Sequence, residues 1–184
     1  MATTTLQKPI ETPKSKTGGK TPRQLSVPTD LGAKASQEIS DAINPLIADA
    51  FALYIKTKNY HWHLASSHFR DYHLMFDEHA EQIFATIDVL AERVRKIGGT
   101  TIRSVGHVAS LQTVKDNDEE FVTPFDMISD LIEENKNMAA NMRKAHDVCD
   151  DNKDVATASF LEVFIDETER RTWFLYEAAQ RDAD

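Results

Sequence analysis

Between Lys58 and Arg93 the chain reads KNYHWHLASSHFRDYHLMFDEHAEQIFATIDVLAER, and His61, His73, Asp77, Asp88 and Glu92 within it have the types and spacing of metal ligands. Imidazole and carboxylate donors without a thiolate suit a redox-active or borderline metal such as iron better than a structural zinc knot. His73 and Asp77 are four residues apart, as are Asp88 and Glu92, so each pair leaves one face of a helix. Eleven residues, close to three full turns, separate Asp77 from Asp88, so all four share one stripe. The same eleven residues rise ~16 Å along the axis, and one ion with bonds of ~2 Å cannot touch both pairs. The stripe therefore offers two half-sites. A two-fold dimer with antiparallel copies of this helix brings the first pair of one subunit against the second pair of its mate, giving two equivalent sites. His61 lies five residues before Ser66 and His73 seven after it, so an antiparallel helix pair sets both imidazoles at similar height. The spacing thus assigns His61, His73 and Asp77 to one subunit and Asp88 and Glu92 to the other. A lone surface carboxylate is the ordinary reading for any one of these acids, but carboxylates flanking Phe76 and Ile87 at a contact are costly without a cation.

The elements that must position these residues read as helices. From Asp30, apolar and small residues recur at helical spacing through Ile39, Ile43, Leu46, Ile47, Ala50, Leu53, Tyr54, Thr57 and His61. Pro45 either kinks this helix or, with Asn44 as cap, opens a new one. Ser66 or Ser67 can cap a second helix, whose stripe runs Phe69, His73, Phe76, Ala80, Ile83, Ile87, Leu90, Val94 and Ile97 and which Gly98-Gly99 stops. Residues 100–122 form a long link with a short helix around Ser104–Thr113. Thr123-Pro124 opens a third long helix, with Asp126 near its positive end and a stripe of Ile128, Leu131, Asn135, Met138, Met142, Ala145 and Val148. After Asp150–Asn152 a fourth runs through Phe160, Phe164, Ile165, Thr168, Thr172, Leu175 and Ala179. Strand-like alternation is absent, so the fold class is all-α: a four-helix bundle with a crossover connection.

Composition sets the bounds. The 184 residues are 41% hydrophobic, enough for one buried domain, and no apolar run approaches the ~20 residues that span a bilayer. The start lacks the apolar segment of a secretory signal, which predicts a cytoplasmic protein, and the one cysteine, Cys149, excludes an internal disulfide framework. In a helix it reads as a packing residue. Net charge is −9, unevenly spread: residues 1–29 carry Lys8, Lys14, Lys16, Lys20 and Arg23 against Glu11, a net of +4, which leaves −13 on the other 155 residues. Residues 1–29 read as a disordered basic tail, and 30–184 as the bundle domain.

The usual single-chain di-iron bundle needs a Glu-x-x-His pair on two helices. Glu162, Asp166 and Glu169 lack such a histidine, and His146 follows Arg143 at that spacing, which disfavours an intra-bundle centre. The segment instead resembles the Dps family, the DNA-binding proteins from starved cells, which are dodecameric mini-ferritins of the ferritin-like superfamily. The resemblance spans roughly Asp30 to Ala179 and rests on His61-Trp62, His73-x-x-x-Asp77 and Asp88-x-x-Ala91-Glu92-Arg93, followed by Gly98-Gly99. Ser66, where a glycine is common, and Tyr72, where Leu or Val is usual, depart from the pattern without removing a ligand. The resemblance implies a ferroxidase with two iron ions at each inter-subunit site, oxidising Fe(II), preferably with hydrogen peroxide, and storing ferric mineral in a homododecameric shell. It places Trp62 at the site, either packing there or intercepting stray oxidising equivalents.

Other residues carry less. His63 points to another helix face than His61. His68, His79, His107 and His146 have no carboxylate pattern and read as exposed or core histidines. Glu162, Asp166 and Glu169 form an acidic stripe that in this family can line iron-entry pores, or is a solvated face. Met127, Met138 and Met142 read as core filling. The basic arm fits non-specific binding of double-stranded DNA, strengthened by avidity when a shell displays many arms, and hence association with the nucleoid. The competing readings are a nucleoid-compacting protein whose metal site is secondary and a mini-ferritin that does not bind DNA.

Overall fold

The computed structural model describes residues 22–180. They form a 3-10 turn (Arg23–Leu25) and five helices: α1 (Gly32–His63), α2 (Phe69–Lys96), α3 (Val105–Leu111), α4 (Pro124–Asp151) and α5 (Val155–Ala178). No strand occurs among the described residues. α1 and α2 make one hairpin, α4 and α5 a second, and the two join through α1–α4 and α2–α5 contacts. Side chains fix the directions. Lys56, late in α1, reaches Asp130 and Glu134 early in α4, both at 2.9 Å. Tyr72 at the start of α2 donates to the Ala178 carbonyl at the end of α5, while Arg93 near the end of α2 meets Asp154 at the start of α5. Neighbouring helices are therefore antiparallel, with opposed macrodipoles. The crossover between α2 and α4 carries α3, packed on α1.

The core follows the 3.6-residue period. Ile39, Ile43, Ile47, Leu53, Phe76, Ile83, Leu90, Ile128, Leu131 and Leu161 are fully enclosed, as are Met127, Met138 and Met142. Cys149 packs among them, and burial pushes its thiol up to about 12, so it holds no thiolate at neutral pH. Thr123 caps α4 where the sequence opens that helix, and Ser104 caps α3, each side chain accepting the backbone N–H three residues on.

Three expectations need correction. α1 runs unbroken through Pro45, so Asn44-Pro45 does not start a new helix; the enclosed Ile43, Leu46 and Ile47 around it outweigh one lost amide bond. Neither Ser66 nor Ser67 is the N-cap of α2, because that position falls to His68, whose side chain makes no cap bond; Ser66 acts from two residues earlier, accepting His68 N–H on Oγ and Phe69 N–H on its carbonyl. In α5 Phe160, expected on the buried stripe, faces outward, and its neighbour Leu161 is enclosed instead.

A polar layer staples the crossover to the bundle. Asp49 accepts from the backbone and hydroxyl of Thr113, Tyr60 donates to Asp130, and Asn117 donates to the Tyr60 oxygen at 2.9 Å. Burial raises the Asp49 carboxyl and, with Asp130 beside it, the Tyr60 phenol.

The end of α2 is set by close approach. Gly98 has φ +87°, and a Cβ on Gly99 would overlap the Ser40 hydroxyl and press on Val94. Ser40 is itself tied to the Ser36 carbonyl, and Ser36 to the Ile97 carbonyl, so small side chains on α1 let the α2 terminus come in. Gly99→Ala is expected to lower stability by about 2 kcal/mol. Urea unfolding should show a lower midpoint at an unchanged slope, and an unchanged midpoint would mean the approach has slack.

Candidate metal centre

α1 and α2 are joined by only a few residues, so the end of one lies beside the start of the other, and His61 meets His73 there. Their rings stack with centroids 3.7 Å apart. Each Nδ1 faces the other residue's backbone carbonyl, at 2.8 Å from His61 and 3.0 Å from His73. A carbonyl can only accept, so Nδ1 carries the hydrogen and the lone pair of the neutral ring sits on Nε2. The same backbone bonds fix both ring planes, the support that metal-binding histidines usually have. Phe69 stacks on the outer side of His73 at 4.9 Å.

Asp77, one turn beyond His73, brings Oδ1 to 4.0 Å from His61 Nε2. Lys58, one turn before His61, donates to the same oxygen and, with the histidines adding to it, holds the Asp77 carboxyl below the usual range. Sequence reasoning did not single out Lys58, although its position three residues before His61 puts it on the ligand face of α1. His61, His73, Asp77 and Lys58 thus form one cluster. Asp88 and Glu92 lie further along α2, both exposed, and Glu92 pairs with Lys96 at 2.9 Å, which holds its carboxyl below the usual range. Among the described residues of one chain, no three His, Cys, Asp or Glu side chains gather to hold a metal ion. The donor set fits iron: imidazole nitrogens with oriented lone pairs, carboxylate oxygens and no thiolate.

Trp62 is 63% exposed. His63 turns away and bonds the Asn59 carbonyl, while His68 lies against Tyr72. His79 is enclosed, and burial with the Arg171 charge pulls it down to about 4. His107 sits on α3. On the α4–α5 surface His146 pairs with Glu162 and Arg143 with Glu169, and Asp166 is exposed. Of the basic arm, Arg23 lies in the 3-10 turn, which is held to the bundle by Arg95 donating to the Leu25 carbonyl at 2.8 Å. Lys8, Lys14, Lys16 and Lys20 fall outside the described residues. No helix among the described residues is long and apolar enough to cross a membrane.

Residues 40–183 match the Ferritin-like domain, the class that the helix order and crossover define. An uncharacterised low temperature-induced protein of Nostoc is 33% identical over 140 residues, covering 76% of this chain and 78% of its own. The DNA protection during starvation protein 1 of Deinococcus radiodurans is 28% identical, covering 79% and 70%. Among solved structures, DpsC from Streptomyces coelicolor superimposes with TM-score 0.82 at 26% identity, covering 85% of this chain and 92% of its own. Dps from Thermosynechococcus elongatus gives 0.77 at 25%, covering 80% and 94%. The chain belongs to the Dps branch of the ferritin-like family.

Lys58 occupies the Asp77 oxygen that a bound cation would need. Lys58→Met should tighten binding of Co(II), a redox-stable probe for Fe(II), by roughly fivefold, about 1 kcal/mol at partly exposed groups. Titration calorimetry reads this directly, and equal or weaker affinity would show that Lys58 does not compete.

Proposed function

We propose that the protein oxidises Fe(II) at sites shared between two copies and stores the ferric product in a closed shell of this chain. The carrying observation is the split donor set: His61, His73 and Asp77 cluster at one end of α2, with Asp88 and Glu92 three turns away on the same helix. A second, antiparallel copy supplies what each end lacks. The groove beside Asp88 supports such a contact. It encloses about 580 Å³, is walled by Phe51, Phe84, Ile87, Ile102 and Val108, and has Phe84 half exposed at its side. An apolar face next to the exposed Asp88 carboxylate suits burial against another copy with a cation between them.

The substrate is Fe(II), two ions per site, and the preferred oxidant is hydrogen peroxide. Two Fe(II) give one electron each, the O–O bond breaks, and both oxygens leave as water or hydroxide, so no hydroxyl radical is released. The chain's own groups hold and orient. Nε2 of His61 and His73 and the Asp77 carboxylate bind from one subunit, Asp88 and Glu92 from the other, and Lys58 keeps Asp77 charged before iron arrives. Trp62, beside His61 and open to the partner, packs at the shared site or intercepts stray oxidising equivalents. The assembly expected is a homododecamer acting in the cytoplasm.

The test is ferric absorbance after adding Fe(II) and peroxide to the wild type and to an Asp77→Ala/Glu92→Ala variant. The variant should oxidise iron at least tenfold more slowly; equal rates would reject the ligand assignment.

DNA binding is the second part of this reading, supported by the +4 of residues 1–29 against −13 on the rest. Phosphate contacts by lysines carry no base specificity and weaken steeply with salt. Because residues 22–29 adjoin the bundle, deleting residues 1–21 removes four lysines and leaves the Arg95–Leu25 contact in place. The shortened protein should lose DNA retention in a gel shift at low salt, whereas full retention would clear the arm of this role.

A further inference from the structure

Arg171 heads the fully enclosed side chains in size and is 2% exposed, in the bundle interior rather than at its surface. Nε donates to the Asn135 carbonyl oxygen of α4 at 2.9 Å and Nη2 to the Thr168 hydroxyl of α5 at 2.7 Å. Both acceptors are neutral. Nη1 is buried and has no hydrogen-bond partner among the described residues. Asn135 is committed in turn, its amide donating to the Leu131 carbonyl, so it cannot swing to serve Nη1. Among the described residues Arg171 forms no ion pair. Glu167, one turn earlier on α5, acts on it only through space. Burial brings Arg171 down to about 10, so it is a full cation at neutral pH. On α2, His79 is 3% exposed and also presents a buried nitrogen, Nδ1, with no hydrogen-bond partner among the described residues.

A buried unit charge without a counter-charge costs several kcal/mol, and neutral acceptors relieve only part of that. A trapped water could accept from Nη1 yet would leave the charge uncompensated. We propose that a small monovalent anion, a halide such as chloride, binds in the bundle interior against Nη1 of Arg171, with Nδ1–H of His79 as its second donor. Such an ion compensates the guanidinium and ties α2 to the α4–α5 hairpin. Two donor nitrogens suit a monatomic ion; sulfate or phosphate would bring four oxygens and leave most of them unsatisfied. The site is independent of the iron-binding reading and needs no second subunit.

Bromide is the probe. Crystals of the full chain soaked in sodium bromide should show an anomalous peak in contact with Arg171 Nη1; a water without anomalous signal, or empty density there, overturns the proposal. In solution, the melting midpoint in sodium chloride against sodium gluconate at equal ionic strength should rise by about 3 °C per tenfold chloride above half-saturation. Arg171→Met, which keeps the volume and removes the charge, should abolish that rise. Equal midpoints in the two salts for the wild type would also overturn it. The bromide arm uses the natural chain and decides the matter even where the variant does not fold.

Discussion

An α-helix advances 1.5 Å per residue and resists bending, and that rigidity governs the candidate centre. α2 is one uninterrupted rod from Phe69 to Lys96, with two chelating pairs on a single stripe. Nothing among the described residues folds one pair back onto the other. The end bearing His73 and Asp77 is completed locally by α1, whose last turn brings His61 and Lys58 alongside. The end bearing Asp88 and Glu92 has no such neighbour and opens onto an apolar groove. Under the proposed function, a helix built in this way would hold half of each of two sites, and ferroxidation would depend on assembly.

The bundle around the rod is arranged to keep it straight and in register. Ser36, Ser40 and Gly99 let α1 and α2 approach at one end, while the reciprocal bonds of His61 and His73 lock the other. The two imidazoles are thereby held in place by the chain's own backbone carbonyls. Along α4 the Lys56–Asp130–Glu134 layer, joined to Tyr60 and Asn117, fastens the crossover that permits α2 and α4 to run parallel. The interior is thus more polar than its amphipathic stripes suggest.

How far this was legible from the sequence depended on whether local signals agreed. α2 could be read nearly to its ends because a clean apolar stripe meets Gly98-Gly99, and α4 because Thr123-Pro124 sits where a cap and a first residue belong. α5 was harder. Its core face includes Thr168 and Arg171, and an arginine signals solvent unless its tertiary partners are known, so the stripe is harder to phase and Phe160 reads as inward where Leu161 is enclosed. At Pro45 the enclosed Ile43, Leu46 and Ile47 carry α1 through a residue that locally favours a break. At the centre, spacing brought out His61, His73 and Asp77 as a group, and the structure does bring them together. The Lys58 contact and the carbonyl partners of the two rings were invisible, because they exist only once α1 and α2 lie side by side.

The most direct measurement is complementation between two defective chains. One carries His73→Ala/Asp77→Ala and the other Asp88→Ala/Glu92→Ala, and each alone should oxidise Fe(II) slowly. Co-expressed and co-assembled, they form mixed dimers in which one site has all its ligands intact and the other has none of these four. Recovery of a substantial fraction of wild-type ferroxidation in the mixed assembly is the expected result. Mixed assemblies as inactive as either parent, with both chains shown to be present, would contradict a site completed by a second copy.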